Sequence, residues 1–295
     1  MYINHNAMAS NVANNLTQHY SDLKTSTQRL STGLRVNSAA DDAAGLAIRE
    51  LMRTDITALQ QGVRNANDAI SLIQTADGAL GVIDEKLTRM KELAEQAATG
   101  TYDSTQRLMI ESEYQAMASE ITRIANATDF NGIHLLDGNL SSDTHDGSKM
   151  TSTGKMKIHF GSANDSAEDY YYIQIGTSTA SALGVGDQAD STSDGKTIST
   201  QEAAQKALVA ITNAVVSKDK IRAHLGALQN RLENTVSNLT TQAENLQAAE
   251  SRISDVDVAT EMTQFVRNQI LTQSSVAMLS QANSMPKMAM NLIQG

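Results

Sequence analysis

The most constraining feature of this sequence is an apolar repeat near its C-terminal end, where Ile221, Leu225, Leu228, Leu232, Thr235, Leu239, Gln242, Leu246, Ala249, Ile253 and Val256 alternate by four and three. That spacing keeps one stripe on one side of a helix and predicts a coiled-coil seam. An unbroken helix over this stretch would run roughly 50 Å at ~1.5 Å per residue. Such a helix needs equally long partners to cover it.

The first half supplies them. Met52, Ile56, Leu59, Val63, Ala66, Ile70 and Ile73 keep the same alternation, and after a phase shift Leu80, Ile83, Leu87, Met90 and Ala94 continue it. A third helix is expected over residues 106–125, with Tyr114, Met117, Ile121 and Ile124 inward, and a fourth pattern resumes at Gln201 with Ala204, Leu208, Ile211 and Val215. The segment NSAADDAAG carries start signals for the helix that follows, because Ser38 and Asp41 stand three apart as in a capping box. Asp41 and Asp42 could also form a carboxylate dyad, although capping the helix start is the stronger reading.

Two weaker stripes lie at the ends. Val12, Leu16, His19, Leu23, Ser26 and Leu30 form a seam near the N-terminus, while Met262, Phe265, Val266, Ile270 and Leu271, with Leu279 beyond, form an apolar face near the C-terminus. Each is too narrow to hold a helix alone in water, so both ends are expected to be mostly disordered in a free monomer and helical once packed. Between about residues 137 and 200 the composition turns to Gly, Ser, Thr and Asp, with two short β-type runs, MKIHF (156–160) and YYYIQI (170–175), read as a strand pair amid surface loops. The fold class is therefore mainly α: a long coiled-coil helical bundle with a small β-hairpin and loop element and paired N- and C-terminal helices.

Composition agrees and narrows the function. Aromatic residues make up 3% of the chain, Trp is absent and Pro286 is the single proline, which suits thin helical bundles rather than one thick core. A net charge of −10 argues against binding a phosphate backbone, which needs a basic stripe. The lack of cysteine removes disulfides, thiol catalysis and Cys-ligated zinc. No stretch reaches the ~18 apolar residues of a membrane span, and the N-terminus lacks the pattern of a cleaved signal peptide. The six histidines (His5, His19, His134, His145, His159, His224) are scattered outside any HExxH pattern, and no nucleophile–base pairing, metal site or cofactor motif is evident. ADGAL and FNGIHLLDG lack the glycine spacing of phosphate loops and read as turns and close packing. Asn126, Asn139 and Asn238 head N-x-S/T sequons of no expected consequence in a bacterial chain, and O-glycans on the exposed insert stay open.

Four blocks, RLSTGLRVNSAADDAAGLAI (29–48), RNANDAISLIQTADGAL (64–80), DFNGIHLLDG (129–138) and SDVDVATEMTQFVRNQILTQSSVAMLSQANSMP (254–286), resemble the signatures of bacterial flagellins in the same order. The resemblance implies that residues 1–43 and 254–295 pair as the inner helical domain of a filament, that 44–253 form an outer core domain, and that no separate variable domain exists. It implies a secreted structural subunit, not an enzyme, that polymerises for swimming motility. The implied partners are further copies of itself, an export chaperone, the flagellar type III export apparatus, and hook-filament junction and filament cap proteins. A junction protein of the same superfamily, or a secreted adhesin or enzyme with borrowed flagellin ends, are the alternatives.

Two details carry competing expectations. The methionines near the C-terminus (Met278, Met285, Met288, Met290) suit adaptable helix packing, and equally suit a tail held by a chaperone before assembly. RMKELAEQAATG (89–100) resembles the segment recognised by the vertebrate flagellin-sensing Toll-like receptor, with Arg89, Leu93 and Glu113 at the matching positions and Met90, Lys91 and Glu95 departing from the best-studied pattern. The same residues are also expected to touch a neighbouring subunit.

Overall fold

The structure, a computed structural model, describes residues 6–148, 153–163, 165, 168–186 and 195–294. His5 and part of the 137–200 segment lie outside the described residues. The elements run α1 (Ala7–Thr32), α2 (Ala43–Ala98), α3 (Ser104–Ala127), β1 (Asp129–Phe130), β2 (Ile133–His134), β3 (His145–Asp146), β4 (Thr153–Gly154), β5 (Met156–His159), β6 (Tyr170–Ile173), α4 (Ala180–Leu183), α5 (Gln201–Ser254) and α6 (Val258–Gln294). Two compact units result: one from Met1–Ile56 with Glu244–Gly295, the other from Thr57–Ala243.

In the second unit the core is the pair of long seams read from the sequence. Ala66, Ile73, Ala76, Leu80, Ile83, Leu87, Met90, Ala94 and Ala97 of α2 are buried, and the steps Ile70, Ile73, Ala76, Leu80 contain two successive threes, which is the phase shift in the repeat. From α3, Ile110, Tyr114, Ala118, Ile121 and Ala125 close one side, with Met117 and Ile124 half-buried beside them. From α5 come Ala204, Ala207, Ile211, Ala214, Leu225, Leu228 and Leu232. Each wholly buried Leu or Ile contributes about 1.5–3 kcal/mol relative to exposure, so this unit carries an ordinary core drawn out along helices. One buried seam position is charged: Lys218, 1% exposed, occupies the step between Ala214 and Ile221.

The predicted strands pair as β5 and β6, antiparallel, with Met156 opposite Ile173 and His159 opposite Tyr170. Alternation sends Ile158, Tyr171 and Ile173 toward the helices, where Phe160 and Tyr171 meet at 4.7 Å and the Arg231 guanidinium lies 3.6 Å from the Tyr171 ring. The hairpin is seated on α2 at a position only glycine allows: a Cβ on Gly62 would meet the Phe160 carbonyl oxygen at 2.0 Å. One turn further on, Asn65 Nδ2 donates to the His159 carbonyl at 2.8 Å. The FNGI turn joins β1 to β2 through Asn131 and Gly132, both at positive φ (53° and 78°), the pairing a two-residue hairpin turn requires.

Candidate assembly surface

The first unit holds α1 antiparallel to α6. Asn6 Nδ2 donates to the Ala282 carbonyl at 2.8 Å near one end, and Arg29 Nη1 lies 3.7 Å from Glu261 Oε2 near the other. The α1 residues of the expected seam, Val12, Leu16, His19, Leu23 and Leu30, are half-buried, and Ser26 is buried.

On α6 the seam follows Glu261, Phe265, Asn268, Thr272, Ser275, Leu279 and Ala282 in steps of four and three. This is a correct coiled-coil period filled largely with polar groups. Glu261 and Thr272 are buried in it, and the Arg29 Nε is buried with no hydrogen-bond partner among the described residues. Of the C-terminal apolar face, only Phe265 and Leu279 are half-buried. Met262, Val266, Ile270 and Leu271 are 45%, 44%, 56% and 38% exposed. Val258, Met262, Val266 and Ile270, each four residues apart, form an uncovered apolar line on α6. The reason is angular: a stripe at 262, 266 and 270 and one at 261, 265, 268 and 272 cannot face the same partner. Sequence periodicity located both stripes and did not say which one α1 would take.

Between α1 and α2, and between α5 and α6, the chain crosses itself once. Leu34 and Asp255 form an antiparallel bridge, Arg35 N–H donates to the Ser254 carbonyl at 2.6 Å, and Val256 N–H donates to the Gly33 carbonyl at 3.0 Å. Gly33 ends α1 at φ 72°, a left-handed value suited to glycine. Arginine side chains close the crossing: Arg35 donates to the Ile253 carbonyl at 2.6 Å, and the buried Arg49 to the Val36 carbonyl at 2.8 Å.

The start of α2 corrects one expectation. Asp42, not the Ser38–Asp41 pair, caps the helix, its Oδ1 accepting from Gly45 N–H at 2.8 Å. Asp41 instead closes the preceding loop, accepting from Ser38 N–H at 2.9 Å and Ser38 Oγ at 3.0 Å, and these bonds hold its carboxyl below the usual range. Asp257 caps α6 through the N–H groups of Ala259 and Thr260 and the Thr260 hydroxyl, and is lowered first by Thr260. The adjacent carboxylates thus do separate structural work.

Of the receptor-like residues, Arg89 and Glu113 lie on the surface of the second unit. Arg89 donates to Glu113 Oε1 at 2.7 and 2.9 Å and to Glu92 at 2.9 Å, bonds that raise its pKa, Glu113 first. Leu93 does not join them. It is 1% exposed, inside the seam of α2, so in this fold it packs the helix behind Arg89 rather than presenting a surface. Among the described residues no group of three His, Asp or Glu side chains could hold a metal ion, and no helix is long and apolar enough to cross a membrane. A cavity of about 350 Å³ between α2, the β1–β2 turn and β5 is lined by Asn65, Leu72, Phe130, Ile133, Met156 and His159 among others.

The long helices thus leave an apolar line of α6 bare beside a polar internal seam, with no metal cluster among the described residues. A family model of the bacterial flagellin N-terminal helical region matches residues 3–141, and one of the C-terminal helical region matches residues 208–293. Over all of both chains, the sequence is 41% identical to the flagellar filament 33 kDa core protein of Treponema phagedenis and 40% identical to a flagellin of Bacillus subtilis. A solved structure of a putative flagellar hook-associated protein from Vibrio parahaemolyticus, 15% identical, superposes with a TM-score of 0.56 over 73% of this chain and 100% of that one, a likeness of fold. The chain belongs to the bacterial flagellin family and is a structural subunit of the flagellar filament, not an enzyme.

Proposed function

We propose that this subunit enters the filament through α1 and α6, with the apolar line on α6 as its principal contact with neighbouring copies. What carries the reading is the exposure of Met262, Val266, Ile270 and Leu271 beside an internal seam rich in Ser, Thr, Asn and Glu. Burial at ~25 cal/mol per Å² must exceed ~1–2 kcal/mol of backbone entropy per ordered residue, and a polar seam with one internal partner supplies little of that. Further copies packed on the bare face supply the rest, so ordering of the two ends is coupled to polymerisation. Head-to-tail contacts of this kind need not close, and they generate an open helix.

In this reading residues 1–43 and 254–295 form the inner filament domain and residues 44–253 the outer one. The subunit leaves the cell through the flagellar type III apparatus and is extracellular in the filament. Before export its bare α6 face and Met278, Met288 and Met290 are covered by a chaperone, and at the filament's ends it meets junction and cap proteins. Outside the filament, Arg89 and Glu113 are the surface that a flagellin-sensing Toll-like receptor would engage, with Leu93 supporting them from beneath. The junction-protein alternative is disfavoured by full-length identity of 41% to a filament core protein. Seeded elongation tests the reading: purified subunit added to filament fragments should extend them indefinitely, and a chain that adds once and stops, or never, is not a filament subunit.

A further inference from the structure

Most of the exposed methionines among the described residues are on α6. Met262, Met278, Met288 and Met290 there are 45%, 60%, 50% and 45% exposed, whereas elsewhere Met90 is wholly buried, Met117 and Met156 are half-buried, and Met8 and Met109 are 58% and 69% exposed. Met262 lies in the apolar line with Val266 and Ile270, and Met278 is on the same helix, two turns beyond Leu271. The sequence has no cysteine, so no thiol competes for an oxidant.

We infer that the α6 methionines are an oxidation site that controls addition of the subunit to the filament. The inference rests on the proposed packing of α6 against neighbouring copies. The reagent class is a peroxide. The thioether sulfur attacks one peroxide oxygen, an S–O bond forms as the O–O bond breaks, the sulfur gives up two electrons, and the departing hydroxide takes a proton to leave as water. A flexible apolar side chain becomes a polar sulfoxide, with an acceptor oxygen that Val258, Val266 and Ile270 of the apolar line cannot bond. Before assembly the sulfur atoms are open to solvent. Once neighbours cover them they are shielded, so the free subunit is the vulnerable form and the filament the protected one. Met109, 69% exposed on α3, is equally reachable and lies on a different helix, which makes it the internal control.

The experiment treats monomer with hydrogen peroxide, removes the peroxide with catalase, and measures elongation of untreated filament fragments while mass spectrometry reports sulfoxide at each methionine. Untreated subunit must elongate the fragments; if it does not, the filament reading itself fails, separately from this inference. Oxidised wild type should elongate at least about tenfold more slowly, the factor carried by a single unpartnered polar group in an interface. Methionine sulfoxide reductases should restore the rate. A variant with Met262→Leu, Met278→Leu, Met288→Leu and Met290→Leu, a swap that keeps volume, should elongate normally and resist peroxide, while Met109→Leu should stay as sensitive as wild type. Assembled filaments given the same dose should keep Met262 and Met278 reduced. Unslowed elongation by oxidised wild type, equal peroxide loss in the four-Leu variant, or equal oxidation of Met262 in monomer and filament would each overturn the inference.

Discussion

The Lys218 ammonium, buried at a core position of α5, is held between the carboxylates of Asp84 on α2 and Asp219 beside it, the latter at 2.8 Å. One helical turn on, Arg222 donates to Asp77 at 2.7 Å and 3.2 Å. The two cross-helix pairs lock α5 against α2 in one register, because a slide of either helix would leave a charge buried and unpaired.

Lys218→Ala should therefore lower the unfolding free energy by about 3 kcal/mol, while Lys218→Met, which fills the space without the charge, should cost less than about 1 kcal/mol. Urea unfolding followed by circular dichroism measures both. Equal losses would show that the charge, rather than the volume, is what the site needs.

Charging the bare line of α6 should separate folding from assembly. Val266→Lys with Ile270→Lys touches no internal partner, so monomer stability should change by less than about 0.5 kcal/mol while elongation of filament fragments is abolished. Light scattering and sedimentation read the second effect, and filaments of normal length from the double variant would remove α6 from the interface.

Gly62→Ala should destabilise by about 1–3 kcal/mol, because the new Cβ has to displace the Phe160 carbonyl and with it the hairpin. Gly78 and Gly81, on the same helix with nothing near the Cβ position, give the opposite expectation: alanine at either should stabilise by about 0.5–1 kcal/mol. Thermal unfolding of the three variants side by side decides it.

Acid should loosen the start of α6 and the loop before α2. The folded pKa values of Asp257 and Asp41 are lowered from 3.8, so the stability they contribute is complete above that value and is lost as pH falls through the lower folded values. Wild-type filaments should be more stable than Asp257→Ala filaments at neutral pH, and the gap should close below pH 3.8. A gap that stays constant down to pH 2 would mean the carboxylate is not the capping group.

Receptor signalling by monomer should drop at least about tenfold for Arg89→Ala, with the loss of a bidentate donor, and fall less for Glu113→Ala. Leu93→Ala should instead show itself as about 2–4 kcal/mol of lost stability, since that side chain is in the core. Undiminished signalling by Arg89→Ala removes the receptor reading.

How far the sequence was legible differs from one element to the next. The seams of α2 and α5, the inward residues of α3 and the pairing of β5 with β6 follow from periodicity, because each element buries one face against a partner of matching period; the exception is Gln242, which is exposed while Ala243 beside it is half-buried. Lys218 escaped that reading, since a charged residue at a seam position looks like a gap until Asp84 is brought opposite it. The direction of the α6 stripe escaped it too: spacing fixes which residues share a face, while burial depends on what comes to cover that face. Leu93, assigned to the surface by resemblance, belongs by spacing to the run Leu87, Met90, Ala94, Ala97 that the core claims. Asp42 rather than Ser38 caps α2 because Ser38 and Asp41 bond each other in a turn ahead of the helix, which puts the start four residues later than the Ser38–Asp41 spacing suggested.

The small crossing at Leu34 and Asp255 joins positions separated by about three quarters of the polypeptide. If the subunit is threaded end-first through a narrow opening, as proposed, that junction is out of reach until both positions have emerged. On that proposal the clasp closes late, and a molecule halted midway still has its two ends unjoined.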